Sequence, residues 1–189
     1  MIYVVTGLMR TGTSLIMQIL QAAGVPAHYS IRDERRGKGG RLRNKAFLED
    51  RACLRGDISK VADGHCVKVF LNMIHKIELS EDKHKVIAMW RPAIDRLRST
   101  RQGMPYKAWL RYQQRSTHAS EDVEICYEHL KAQFPAHLVV TFNDLFDNTE
   151  VLLGRVSHYV ELPKVLECAH VVEHKRRHYN KGGDQRFNS

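Results

Sequence analysis

The sequence contains no apolar run near the roughly 20 residues that a membrane-spanning helix needs. Its four cysteines, Cys53, Cys66, Cys126 and Cys168, are scattered without a CxxC pair. Neither a disulfide framework nor a zinc site is therefore marked by spacing, and reduced thiols in a cytoplasmic protein are the expectation. Ile2-Tyr3-Val4-Val5 follows Met1 with no basic leader and no small-residue cleavage site, so no secretion signal is expected. There is no internal repeat and no linker long enough to divide the chain. A length of 189 residues suits one compact unit, and a single domain over residues 1–189 is expected.

Acidic residues are scarce relative to basic ones. Thirty Lys and Arg stand against 21 Asp and Glu, a formal charge of +9, which favours an anionic partner such as a nucleotide, a nucleic acid or an acidic glycan. The excess is concentrated in IRDERRGKGGRLRNK, residues 31–45, where seven of fifteen residues are basic and three are glycine. Such a segment cannot pack as a core element and reads as an exposed, mobile basic loop. A solvated loop and an anion- or acceptor-binding loop are both open readings of it.

Four short apolar runs, Ile2–Thr6, His65–Leu71, Lys85–Trp90 and His137–Phe142, read as buried strands. Between and after them, Thr13–Ala23, Ala46–Leu54, Tyr106–Ser116, Ser120–Phe134, Thr149–Val160 and Lys164–Arg177 read as helices, and a helical turn follows the second run. Tyr106, Trp109 and Tyr112 fall at helical spacing and read as core. Strands alternating with helices predict an α/β fold with a mostly parallel sheet covered on both faces.

The first strand runs into Gly7-Leu8-Met9-Arg10-Thr11-Gly12-Thr13-Ser14. This is the GxxxxG spacing of a phosphate-binding loop, with Thr-Ser where a nucleoside-triphosphate loop carries Lys-Ser or Lys-Thr. Without the lysine the geometry still suits an anion. Glycines let backbone N–H groups turn inward, and the helix opening at Thr13 adds its free N–H groups and dipole. Thr11, Thr13 and Ser14 carry hydroxyls, and Arg10 places a forked cation at the rim. The third strand ends in Met89-Trp90-Arg91, where a metal-binding carboxylate would serve a nucleotide kinase. The pattern predicts a ligand with two separate anionic groups and no metal.

GLMRTGTS resembles the 5′-phosphosulfate loop of the sulfotransferases that use 3′-phosphoadenylyl sulfate, whose usual forms are GxPRSGTS and PKSGTT. WRPAIDRLRS resembles their second signature, a strand ending in Arg with Ser eight positions on, as in Arg91 and Ser99. In that family the pair grips the donor's 3′-phosphate. NKAFLED resembles the family's NPxGYxE segment and puts Glu49 where some members have a catalytic acidic residue. VVTFNDLFDNTEVLLGRVSHYVELP and the tail RRHYNKGG resemble later family segments, and the tail places Arg176 and Arg177 beside the donor. Met9 departs from the usual Pro, Thr11 from Ser, and Phe142-Asn143 from Tyr-Glu. The chain is short for the family, which leaves little material for an acceptor pocket. The resemblance implies a three-layer P-loop fold with four or five strands.

It also implies transfer of a sulfuryl group to a hydroxyl or amine on a small-molecule or glycan acceptor. Arg10, Thr11, Gly12, Thr13, Ser14, Arg91, Ser99, Arg176 and Arg177 would hold 3′-phosphoadenylyl sulfate. Arg10 and the loop N–H groups would offset charge on the leaving phosphate, with Lys68 in the second strand a candidate to reach the same region. Glu49 would take the acceptor proton, against the simpler reading of a solvent-facing carboxylate. His170, His174 and His178 recur every four residues and could hold a metal, but read better as a solvated stripe or as lining of the donor site. Nucleic acid is not the expected partner. Two rivals remain: a nucleotide or small-molecule kinase with an altered loop, and a non-catalytic polyanion binder with steep salt dependence.

Overall fold

In a computed structural model of the protein, the described residues are 1–8, 10–29, 49–92, 95–96 and 119–173. Four strands form one sheet: β1 (Ile2–Gly7), β2 (Cys66–Phe70), β3 (His84–Trp90) and β4 (Leu138–Thr141). Their order is β2-β1-β3-β4 and every pairing is parallel. β1 is flanked on both edges and covered on both faces, which is why its sequence is continuously apolar rather than alternating. Val5 of β1 lies opposite Lys68 in β2 and Ile87 in β3.

Alternation along the strands divides the core in two. Val5, Cys66, Ile87, Met89 and Val140 pack on one face with Leu15, Ile16, Ile19 and Leu20 of helix α1 (Thr13–Ala22) and Leu152, Leu153 and Val156 of a later helix. Val4, Val67, Val69, Val86 and Ala88 pack on the other with Cys53, Ile74, Leu130 and Phe134. The result is the three-layer α/β arrangement expected from the sequence. Further helices among the described residues are α2 (Arg51–Leu54), α3 (Ala119–Gln133), α4 (Asp144–Asp147) and α5 (Thr149–Val160). At β3, the N–H of Val86 donates to the Tyr159 hydroxyl of α5 at 2.9 Å. That residue precedes Ile87, where pairing with β4 begins, so α5 satisfies a donor the sheet leaves over.

Two helix expectations shift. The helix read over Ala46–Leu54 begins only at Arg51 within the described residues. Asp50 is extended and its Oδ1 accepts from the N–H groups of Ala52 (2.8 Å) and Cys53 (3.2 Å), which fixes the helix start after it. Glu49 therefore lies before the helix. The helix read over Lys164–Arg177 opens instead as a 3₁₀ segment, Pro163–Cys168, whose proline presets the first φ. The turn after β2 is likewise 3₁₀, Leu71–Lys76. The helix read over Tyr106–Ser116, with Tyr106, Trp109 and Tyr112, and the basic loop at 31–45 lie outside the described residues.

Candidate functional site

From β1 the chain passes through α1 to β2 on one side, and later returns to place β3 on the other side of β1. A parallel α/β sheet opens a crevice where its strand order diverges in this way, at the carboxyl ends of the strands. The glycine loop sits there. A Cβ on Gly7 would lie 2.5 Å from Thr11 Oγ1 and 3.0 Å from the Met89 carbonyl oxygen, so the loop folds against β3 only because that atom is missing. Gly12 has φ +95° and a Cβ there would meet Phe142 Cδ2 at 2.6 Å. Arg10 is exposed and adopts φ 68°, a costly conformation for a residue with a side chain. The Thr11 hydroxyl is buried and donates to the Leu8 carbonyl at 2.8 Å, so its proton closes the turn.

Helix α1 opens at Thr13 with no side-chain cap and no acidic residue in its first turn. A helix start left this way presents N–H groups and positive potential to an anion. A lysine, which the loop sequence lacks, reaches the helix start from the neighbouring strand. Lys68 Nζ donates to Ser14 Oγ at 2.8 Å and to Glu49 Oε1 at 2.8 Å. The Lys68 side chain is 4% exposed and that of Glu49 40%. Burial pulls the Lys68 ammonium below the usual lysine range, while the charge and hydrogen bond of Glu49 act in the opposite direction.

On the other side of β1, Arg91 leaves the end of β3. Its Nη1 donates to the Arg10 carbonyl at 3.2 Å, and its guanidinium lies 3.9 Å from the centre of the Phe142 ring. Phe142 thus touches both the glycine loop and Arg91. It is held in turn by Phe146, edge-on at 5.1 Å, and by its own N–H bond to the Trp90 carbonyl at 2.8 Å. In sequence, Phe142 reads as the end of the fourth strand and as a departure from a tyrosine, with no sign of this contact. Its register, one residue beyond the Trp90–Thr141 pair, was the signal that placed it beside Arg91. Behind this end of β3, the Tyr127 hydroxyl of α3 donates to the Met89 carbonyl.

The structure therefore gathers Arg10, Thr11, Gly12, Thr13, Ser14, Glu49, Lys68 and Arg91 at one end of the sheet. Ser99, Arg176 and Arg177 lie outside the described residues, as do His174 and His178. His170 is exposed, with Nδ1 3.0 Å from the Glu167 carbonyl oxygen. An open depression of about 690 Å³ lies elsewhere, lined by Lys85, Ser157, Tyr159 and Glu161 near the start of β3, and has none of these groups. Among the described residues, no helix is long and apolar enough to cross a membrane.

No protein-family model matches the sequence, and no curated protein matches it either. Among solved structures, the chain is similar to a crystal structure of retinol dehydratase in complex with androsterone and inactive cofactor PAP. The identity is 12%, the match covers 96% of this chain and 69% of that chain, and the TM-score is 0.54. At that identity the likeness speaks for the fold alone, a parallel α/β sheet flanked by helices.

Proposed function

We propose that the protein is a sulfotransferase using 3′-phosphoadenylyl sulfate, with a small-molecule or glycan acceptor. One observation carries this reading: at one end of the sheet a glycine loop and an uncapped helix start meet two cations, Lys68 from β2 and Arg91 from β3, on opposite sides of β1. That donor set fits a ligand bearing one anionic group at its 5′ end and another at its 3′ end. The sequence signatures point the same way, and the fold neighbour holds PAP, the bisphosphate left when the donor has lost its sulfuryl group.

When bound, the donor supplies an activated sulfuryl group. Arg91, with Ser99, would hold the 3′-phosphate, and Arg176 and Arg177 would add charge beside it. The N–H groups at the start of α1 and the hydroxyls of Thr13 and Ser14 would hold the 5′ end. Lys68 would offset negative charge there, already desolvated and so needing little reorganisation. Glu49 accepts from Lys68 through one oxygen, and its other oxygen would take the proton of an acceptor hydroxyl or amine. Because the neighbour was crystallised with androsterone, a small apolar alcohol is a sensible first acceptor to assay.

Calorimetry tests the reading: 3′,5′-adenosine bisphosphate against 5′-AMP and ATP, each with and without magnesium. The bisphosphate should bind best and without metal. Arg91→Ala should weaken it by roughly 10- to 100-fold, the worth of one charge-assisted contact, and leave 5′-AMP unchanged. Tighter, magnesium-dependent ATP binding would establish a kinase instead. Equal, steeply salt-dependent binding of all polyanions would leave only a basic surface.

A further inference from the structure

At the outer edge of β2, three side chains of different ligand chemistry converge. His28, Asp50 and Cys53 place one imidazole nitrogen, one carboxylate oxygen and one thiol sulfur all within 4.8 Å of one another. We infer that these three residues bind a divalent transition-metal ion of the zinc class, at a site separate from the anion crevice.

The donor set selects the class of ion. Magnesium and calcium take oxygen ligands, whereas a thiolate with an imidazole and a carboxylate suits zinc or cobalt. Bonds of about 2.0–2.3 Å around a tetrahedral ion set ligand atoms about 3.3–3.8 Å apart, so closing the present cluster takes side-chain movements of about 1 Å. Three protein ligands leave a fourth position for water.

The backbone already holds the ligands in place. Ala27 pairs with Cys66 in a parallel bridge, the N–H of His28 donates to the Cys66 carbonyl at 2.8 Å, and the N–H of Cys66 donates to the Pro26 carbonyl at 2.9 Å. His28 is thereby fixed along the outer edge of β2. Cys53 is 2% exposed and packs with Val67 and Val69 of the same strand. Asp50 is steered by the N–H groups of Ala52 and Cys53, which both donate to Oδ1. A helix cap and a core thiol would explain Asp50 and Cys53 singly. Neither explains why His28 is anchored against them.

His28 and Asp50 stand 22 positions apart, and no ligand-spacing motif links them, so a metal here is not legible from residue spacing. The ion would pin together the two chain points that flank the basic segment 31–45 and would fix the residue next to Glu49. The inference stands whether or not the crevice transfers sulfuryl groups.

Cobalt titration of the full chain, stripped by chelator and kept reduced, tests it. One equivalent of Co²⁺ should produce a thiolate-to-cobalt charge-transfer band with tetrahedral visible bands, and Zn²⁺ should bleach both. Other thiols and the ten other histidines offer alternative ligands, so variants decide. Cys53→Ala should abolish the charge-transfer band, Cys126→Ala should leave it, and His28→Gln should weaken binding at least about 100-fold, more than loss of an outer-shell partner does. If Cys53→Ala does not fold, His28→Gln carries the test with circular dichroism as the folding control, and Zn²⁺ should raise Tm in wild type but not in that variant. Absence of a band in wild type, a band surviving in Cys53→Ala, or equal zinc stabilisation of wild type and His28→Gln would overturn the site.

Discussion

Lys68 and Glu49 form an unequal pair, and substitution of each should move stability in opposite directions. Their charged atoms are 2.8 Å apart, with Lys68 4% and Glu49 40% exposed. At an effective dielectric near 20 the gross attraction is about 6 kcal/mol, against a cost of several kcal/mol for dehydrating the ammonium. Glu49→Gln keeps a hydrogen-bond acceptor and removes the countercharge. The loss has a ceiling, because the lysine can shed its proton: moving a group of pKa about 10.4 to neutrality at pH 7 costs about 4.6 kcal/mol at 1.36 kcal/mol per unit. Since water already screens Glu49, about 1–3 kcal/mol of destabilisation is expected, below the ~3–5 of a fully buried pair. Lys68→Met removes the dehydrated charge and leaves a carboxylate that water can reach, so it should lie between neutral and about 2 kcal/mol more stable.

Urea unfolding at pH 7 and pH 10 checks both. Burial lowers the folded-state pKa of Lys68 below that of the unfolded chain, so the unfolded chain binds the proton more tightly. The stability linked to this group is fully present above the unfolded pKa and is lost as pH falls through the folded one. The deficit of Glu49→Gln at pH 7 should therefore shrink toward pH 10. A deficit constant across that range, or a loss above about 2 kcal/mol in Lys68→Met, would refute the pairing.

Other perturbations have equally definite outcomes. Gly12→Ala should cost about 2–5 kcal/mol in chemical denaturation, the sum of ~1–2 for a side chain at φ +95° and ~1–3 for displacing the Phe142 ring 2.6 Å from the new Cβ. Arg10→Gly should be more stable than Arg10→Ala by about 1 kcal/mol, because only the former relieves φ 68°, while both lose bisphosphate affinity in calorimetry. Burial pushes the Cys66 thiol up to about 12, so at pH 8 it should resist alkylation until the protein unfolds, with the partly exposed Cys126 labelled first by mass spectrometry.

The four strands and the glycine loop were legible because local patterns encode them. β1 is a continuous apolar run ending at a glycine spacing that few other turns require. The helix starts were less legible. The pattern over residues 46–54 does not reveal that Asp50 turns extended to cap Arg51–Leu54, nor does the pattern after Leu162 show that Pro163 begins a 3₁₀ segment. Lys68 could be named as a candidate from its strand, but its partners could not. Ser14 and Glu49 lie 54 and 19 positions away, and such contacts depend on strand order and register. His28, Asp50 and Cys53 are hidden for the same reason: only the folding of two separate segments around the edge of β2 brings them together.

Strand register also explains how a loop without its lysine can still meet an anion. Cys66, Lys68 and Phe70 alternate onto the face that α1 covers, and Lys68 stands two residues, about 6.6 Å, before the end of β2. An extended lysine spans that distance, so its ammonium reaches the first turn of α1 at Ser14. A lysine carried by the turn itself would move with the turn. One anchored in the sheet stays in place while the loop adjusts, at the cost of burying its charge. Folding alone gives no reason to dehydrate an ammonium there, to hold Arg10 in a left-handed conformation, or to leave α1 uncapped. Each of the three carries a stability cost, and all of them fall at the same end of β1. Binding of an anion would offset them together, which is why stability gains at Lys68 and Arg10 should coincide with losses of affinity.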